Sequence, residues 1–150
     1  MLGLEDRFDV VKGDVEDAGS LRRLRAVLSA MRGIEGESPM FDAVLCNPPW
    51  RKAGSGRLPP SELRRRALFG DGETFARFFG AADALLRQGG AFFAVGGADR
   101  TADMLAALPE RMHPEVLRFI FTRKDAPAEF VLMKAVKNGR CGLKVESRFV

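Results

Sequence analysis

Four consecutive residues, Asn47-Pro48-Pro49-Trp50, join an amide, two stiff backbone positions and an indole at the end of an apolar run. The run over 41–46 predicts a short buried strand. The strand must end at the prolines, because proline donates no backbone hydrogen bond and its φ is fixed. An amide held there accepts a hydrogen bond from a flat amino group, and an indole stacks on the attached ring. The pattern therefore favours an aromatic amine as ligand, at the edge where open α/β sheets bind ligands.

Strand and helix patterns alternate on both sides of this turn. Apolar residues recur at helical spacing in several segments, with Asp17 or Ser20 as the N-cap of the first helix, Gly33 as its end, and Thr101 as a later N-cap. The predicted elements are a strand at 8–12, a helix at 17–32, a strand ending at 46, a short basic helix at 61–69, a helix ending at 89–90, a strand at 91–95, a helix at 101–111, and strands at 116–121 and 130–136.

This order predicts an α/β fold with a mainly parallel sheet and helices on both faces. No helix separates the last two strands, so we expect them to pair as an antiparallel hairpin. The residues from Asn138 onward are expected to form a loosely attached tail.

Composition sets the class of protein. The chain has 150 residues, of which 46% are hydrophobic and 29% charged, as in an ordinary globular domain. No apolar run approaches the ~20 residues that span a bilayer, and no signal peptide opens the sequence. Cys46 and Cys141 are far apart, which predicts reduced thiols and no metal or disulfide framework. We therefore expect a cytoplasmic protein with no membrane partner, and its net charge of +4 favours a polyanionic one.

The turn resembles the Asn-Pro-Pro-aromatic signature of the S-adenosylmethionine-dependent amino-methyltransferases. The wider sequence most resembles the family that methylates N6 of adenine in tRNA(Val). The matching segments are Gly13-Asp14-Val15, Phe41-Asp42 before the turn, the basic glycine loop at 51–57, Leu85 to Gly90, and Glu129 to Ala135. The resemblance implies a Rossmann-like class I methyltransferase fold, S-adenosyl-L-methionine as the cofactor, and RNA, most favourably tRNA, as the substrate.

The resemblance also assigns roles to residues. Asn47, through its side-chain oxygen, and Pro48, through its carbonyl, would accept hydrogen bonds from the target amine, while Pro49 stiffens the turn and Trp50 stacks on the base. The adenine would be swung out of its stack to reach them. Asp14 would accept from the adenine amino group of the cofactor, with Val15 against the ring and Asn47 nearby.

One departure from the family concerns the cofactor. Its glycine-rich turn, which lets backbone N–H groups approach the cofactor, should precede Gly13, but the dozen residues there contain no Gly-x-Gly. We therefore expect residues 1–150 to represent the C-terminal two-thirds of a single domain that lacks its first two strands. Cofactor affinity should be weak and this chain by itself inactive. The strand before Asn47 should then leave an edge open to self-association.

Basic residues follow the turn closely. In the functional interpretation they hold RNA phosphates, and for those of the short helix a solvated helix face is equally plausible. These residues are Arg51, Lys52, Arg57, Arg64, Arg65 and Arg66.

Other interpretations remain open from the sequence. Asn47 to Trp50 can be a simple proline turn with Trp50 in the core. Cys46 can be a nucleophile, although its place inside a strand favours a core cysteine. The same signature serves protein-glutamine N5 and DNA-adenine N6 methyltransferases. A non-catalytic fragment that lacks the cofactor-binding glycine turn is a further alternative.

Overall fold

The computed structural model describes residues 10–15, 17–32, 41–52 and 59–146, and the chain forms two compact units, Met1–Glu37 and Ser38–Val150. In the first unit, helix α1 spans Ala18–Arg32. The carboxylate of Asp17 accepts hydrogen bonds from the Gly19 amide and the Ser20 hydroxyl, each at 2.9 Å. Asp17, one of the two predicted candidates, is therefore the N-cap, whereas the predicted end at Gly33 lies outside the described residues.

The predicted strand at 8–12 is wrong for residues 10–12, which are the part of it that the structure describes. Residues 8 and 9 lie outside the described part of the chain, and residues 10–12 have no regular secondary structure. Val10 is 97% exposed. A strand is stable only when a neighbour pairs with its N–H and C=O groups, and the described residues of this unit contain no other strand.

The second unit is built on a five-stranded sheet. Its strands are β1 (Phe41–Cys46), β2 (Leu86–Gly97), β3 (Met112–Ile120), β4 (Phe130–Lys137) and β5 (Lys144–Val145). They lie in the order β1-β2-β4-β3-β5. Pairing is parallel between β1 and β2 and between β3 and β5, and antiparallel at β4. Four strands thus share one direction, and the predicted α/β class with a mainly parallel sheet and an antiparallel hairpin of β3 and β4 is confirmed. The packing of helices on both faces stays a prediction.

The described residues of this unit form three helices: α2 (Glu62–Leu68), α3 (Gly72–Leu85) and α4 (Thr101–Ala106), the last preceded by a 3₁₀ turn at Ala98–Arg100. Asp71 and Thr74 form a reciprocal capping box at the start of α3. Helices α3 and α4 pack on one face of the sheet, and the largest buried side chains there are Phe75, Phe79, Phe92, Leu86, Met104, Met133 and Val131. Within the described part of the chain, no helix is long and apolar enough to cross a membrane.

Some predicted boundaries are wrong for local reasons. Helix α3 ends four residues early, because Leu86 pairs with Phe41 and the next aligned pair is Ala91 with Ala43, so the residues between them form a bulge. Helix α4 stops at Ala106 because Pro109 disfavours a helical conformation in the residue before it. Thr101 is the first residue of α4 and does not cap it. The expected tail is instead tied to the sheet, since the Glu146 amide donates to the carbonyl of Leu117 at 2.8 Å.

Candidate functional site

The Asn-Pro-Pro-Trp turn begins where β1 leaves the sheet. Cys46, the last residue of β1, pairs with Ala94 of the parallel strand β2, so both strands point their carboxyl ends to the same edge. Asn47 is exposed immediately beyond, and Pro48 is fully buried. A buried proline therefore anchors the turn while the amide before it stays accessible.

The far end of the turn is also fixed. The N–H of Arg51 donates to the carbonyl of Leu68 at 2.9 Å, and its carbonyl accepts from the Gly70 amide at 3.0 Å. A Cβ at Gly70 would lie only 2.5 Å from the carbonyl oxygen of Pro49. Only glycine permits this approach of the two backbones, which holds the turn against the residues before α3.

Trp50 is half-buried at this end. Its ring meets Phe130 edge to face, with 5.6 Å between centroids and an interplanar angle of 87°. A Cβ at Gly97 would lie 2.9 Å from Cε3 of the indole, so the absence of a side chain makes room for the ring. The guanidinium carbon of Arg51 lies over the indole, 5.7 Å from its centroid. Trp50 is thus packed on the sheet edge without being sealed in the core.

Asn47 lines an open cavity of about 790 Å³ on the sheet face opposite α3 and α4. The side chains on this face alternate with the buried ones, and Leu45, Phe93 and Leu132 remain 80%, 40% and 39% exposed. Glu146 is the one carboxylate among the described lining residues, and Arg118 pairs with it. Lys134 also lines the cavity and pairs at 2.8 Å with Glu115, which does not line it. The cavity is therefore a mainly apolar surface with an amide at its end and ion-paired charges at its margin.

Two of the three residues proposed for the cofactor, Asp14 and Val15, belong to the first unit. Asp14 is exposed and Val15 half-buried in the turn before α1, where the carbonyl of Asp14 accepts from the Asp17 amide at 3.1 Å. Their assignment to the cofactor stays a prediction, as does that of Asn47.

The basic residues proposed for RNA lie on two segments, one beside the turn and one on α2. Arg51 and Lys52 are exposed beside the turn, and Arg57 lies outside the described residues. Arg64, Arg65 and Arg66 are exposed on α2, where Arg65 pairs with Glu62 of the same helix. Cations are exposed on both segments, and the RNA interpretation stays a prediction.

Cys46 is not an activated nucleophile. Burial raises the pKa of its thiol to about 12. Since a thiolate is the reactive form and this thiol stays protonated at neutral pH, the structure agrees with the interpretation of a core cysteine.

Sequence reasoning missed Arg100. This arginine is 2% exposed and donates from Nη1 to the carbonyls of Trp50 and Gly70, at 2.7 and 3.0 Å. In the sequence it follows Ala98-Asp99 at a helix start and has the composition of a solvated turn. No local pattern indicates that it reaches residues 30 and 50 positions away.

Comparison with solved structures supports a methyltransferase fold. The chain is similar to the crystal structure of a predicted O-methyltransferase, protein Atu636 from Agrobacterium tumefaciens, with a TM-score of 0.64 and 21% sequence identity. The match covers 97% of this chain and 55% of that one, so this chain spans about half the length of the protein that it resembles. No protein-family model matches the sequence, and none of the curated proteins matches it either.

Proposed function

We propose that this chain carries the substrate turn of an S-adenosylmethionine-dependent N-methyltransferase that acts on an exocyclic amine, most favourably N6 of adenine in tRNA. The observation that carries the proposal is the position of Asn47: an exposed amide at the exit of a parallel strand, on a turn fixed at both ends, beside a half-buried indole.

The proposed chemistry depends on hydrogen-bond acceptors. The lone pair of an aryl amine is delocalised into its ring, which makes the nitrogen a poor nucleophile. The side-chain oxygen of Asn47 and the carbonyl of Pro48 would each accept one N–H, which favours a pyramidal nitrogen with its lone pair free. Since the turn is rigid, most of the rate enhancement would come from orientation and preorganised dipoles, and no strong base is required.

Trp50 would hold the ring of the base. The exposed guanidinium of Arg51 now lies over the indole, and such a cation–π contact is worth only about 0.5–1 kcal/mol at an exposed site. A purine can therefore take its place, and the released guanidinium would bind a phosphate of the same strand.

The described residues suit the cofactor in part. In the first unit the carboxylate of Asp14 is exposed, and in the second unit the amide of Asn47 is exposed. Each by itself is an acceptor of the kind that an amino group of S-adenosylmethionine requires. The cofactor would supply an electrophilic methyl group. No Gly-x-Gly turn is present among residues 10–15, so nothing there offers a close backbone approach to its carboxylate, and we expect weak affinity.

The structural neighbour is described as a predicted O-methyltransferase, which raises a hydroxyl as the alternative acceptor. A hydroxyl must lose its proton, which calls for a general base or a metal ion. Among the described residues that line the cavity, the carboxylate of Glu146 is occupied by Arg118. An amide acceptor suits N–H groups better, and this favours the amine.

Transfer of a labelled methyl group tests the proposal. The purified chain is incubated with undermethylated tRNA and S-adenosylmethionine at millimolar concentration, because weak cofactor binding is expected, and the tRNA is digested to nucleosides. We expect no activity at ordinary cofactor concentrations, where the chain is inactive by itself, and a low rate of N6-methyladenosine formation at the raised concentration that Asn47→Ala abolishes. Asn138→Gly is the matched control, since Asn138 has φ of 52° and a glycine there is tolerated.

The alternative substrates give distinct outcomes. Label in DNA or in a protein glutamine, but not in tRNA, would replace the RNA proposal with the corresponding alternative. Label in none of the three would support the non-catalytic interpretation. Label in tRNA that persists in Asn47→Ala would remove Asn47 from the mechanism.

A further inference from the structure

Arg100 is a buried cation whose partners are unusual. Its Nε donates to Oδ2 of Asp103 at 2.6 Å, its Nη1 donates to the carbonyls of Trp50 and Gly70, and its guanidinium lies over the ring of Phe75 at 4.9 Å. Burying an arginine is unfavourable unless its donors are satisfied. This one cation therefore contacts three segments: the turn at residues 47–50, Gly70 before α3, and Asp103 in the first turn of α4.

The segment that carries Arg100 is itself held to the sheet. It lies in the 3₁₀ turn at the end of β2, where the Ala98 amide donates to the carbonyl of Glu129 at 3.0 Å. The hydroxyl of Thr101 donates to the carbonyl of Ala98 at 2.7 Å. The guanidinium is therefore presented from a rigid position.

From these contacts we infer that Arg100 is a positioning residue, which fixes the separation and orientation of the Asn47 amide and the Trp50 indole. The inference rests on the proposed function of the turn. The prolines fix two φ angles between Asn47 and Trp50, and the pairing of Cys46 with Ala94 fixes the start of the turn. The hydrogen bond from Arg100 to the Trp50 carbonyl fixes the orientation of the peptide plane at the end of the turn. A charge-assisted bond of this kind is stronger than a neutral one.

The variants Arg100→Lys and Arg100→Gln test this inference. Lysine keeps a charged donor that reaches one carbonyl, whereas glutamine loses the charge. The matched control is Arg111→Gln, which removes a different arginine of the same unit from its ion pair with Asp83 at 2.8 Å. Asp103→Asn serves as a second variant, since it removes the charge partner of Arg100 and leaves its donors to the carbonyls in place.

Trp50 is the single tryptophan of the chain, so its fluorescence reports directly on the turn. In folded protein, we expect Arg100→Gln to raise the acrylamide quenching constant of Trp50 about two- to threefold and to weaken quenching by adenosine monophosphate by about tenfold, because small misplacements of binding groups are costly. Arg100→Lys should recover part of both effects, and Arg111→Gln should change neither. Circular dichroism confirms that each variant is folded.

A purely structural role gives a different result. Lower stability in folded Arg100→Gln with unchanged quenching of Trp50 would overturn the inference. If Arg100→Gln does not fold, the same comparison is made with Arg100→Lys, where unchanged acrylamide quenching would overturn it. If adenosine monophosphate does not quench Trp50 in the wild-type chain, the proposed function fails, while acrylamide quenching still decides the role of Arg100.

Discussion

Arg51 lies over the indole of Trp50, with its guanidinium carbon 5.7 Å from the ring centroid, while its backbone is bonded to Leu68 and Gly70. The backbone of this residue is therefore fixed and its exposed side chain is the movable part. No carboxylate of the described residues pairs with it. In the proposed function, an incoming nucleotide would bring both an aromatic ring for Trp50 and a phosphate for Arg51.

Arg51→Ala should weaken the binding of tRNA and change its salt dependence. Loss of one phosphate contact is expected to lower the slope of log affinity against log salt concentration by about one. Fluorescence titration of Trp50 with tRNA at several salt concentrations measures both quantities. Removal of the cation should also increase the quenching of Trp50 by acrylamide, because the face of the indole is uncovered.

Arg77→Ala on α3 is the matched control for Arg51. Arg77 is also an exposed arginine, and it pairs with Glu73 at 3.0 Å on the same helix. We expect its tRNA affinity and salt slope to equal those of the wild type. Equal losses in both variants would mean that only net charge matters, and that Arg51 has no specific phosphate contact.

A buried ion pair joins α3 to β4. Lys137 is 3% exposed, and its ammonium group lies 3.2 Å from Oδ1 of Asp83. It also donates to the carbonyls of Asp83 and Leu86. Lys137→Met should leave the buried carboxylate with only Arg111, and removal of one partner from a buried pair lowers the free energy of unfolding by roughly 3 kcal/mol. Urea unfolding followed by circular dichroism measures the loss.

Arg111→Gln tests whether burial or charge alone decides how much an ion pair with Asp83 contributes to stability. The Arg111 side chain is 60% exposed, so its pair with Asp83 is screened by solvent and should contribute less than about 1 kcal/mol. If both variants lost the same stability, the burial of Lys137 would not be the decisive factor.

Strong local patterns explain which parts of the fold could be predicted. Two predictions follow from short-range signals. The strand β1 ends before Pro48 because proline cannot continue the hydrogen-bonded ladder, and β3 pairs antiparallel with β4 because no helix separates them. Contacts between distant segments escaped prediction. The bulge that ends α3 at Leu85 exists because Leu86 pairs with Phe41, and Arg100 is buried because two carbonyls far along the chain converge on it.

The raised pKa of Cys46 predicts a difference in reactivity between the two thiols. Burial raises this pKa from 9.0 to about 12, whereas Cys141 is exposed. A disulfide reagent at pH 8 should therefore modify one thiol rapidly and the second only after denaturation. Cys141→Ser should abolish the rapid phase, and a rapid phase that survived in it would show that Cys46 is accessible.

The raised pKa of Cys46 also makes the free energy of unfolding depend on pH. A thiol whose folded pKa is raised is still protonated between pH 9 and 12, when the unfolded chain has lost the proton. The unfolded state therefore binds fewer protons, and stability falls as pH rises through this window. Compared with Cys46→Ala, the wild-type chain should lose more of its free energy of unfolding between these values. Parallel curves for the two proteins would contradict the shift.

Self-association through β1 is the last prediction. β1 lies at the end of the strand order, and no strand among the described residues pairs with its outer side. Leu45 on this strand is 80% exposed. An open edge with an exposed apolar side chain favours pairing with a second chain, so light scattering should show a mass that increases with concentration. Leu45→Lys should reduce this increase, because a charge on an edge strand opposes pairing. Leu63→Lys is the matched control, since Leu63 is 77% exposed on α2, and an equal reduction there would assign the association to general surface hydrophobicity.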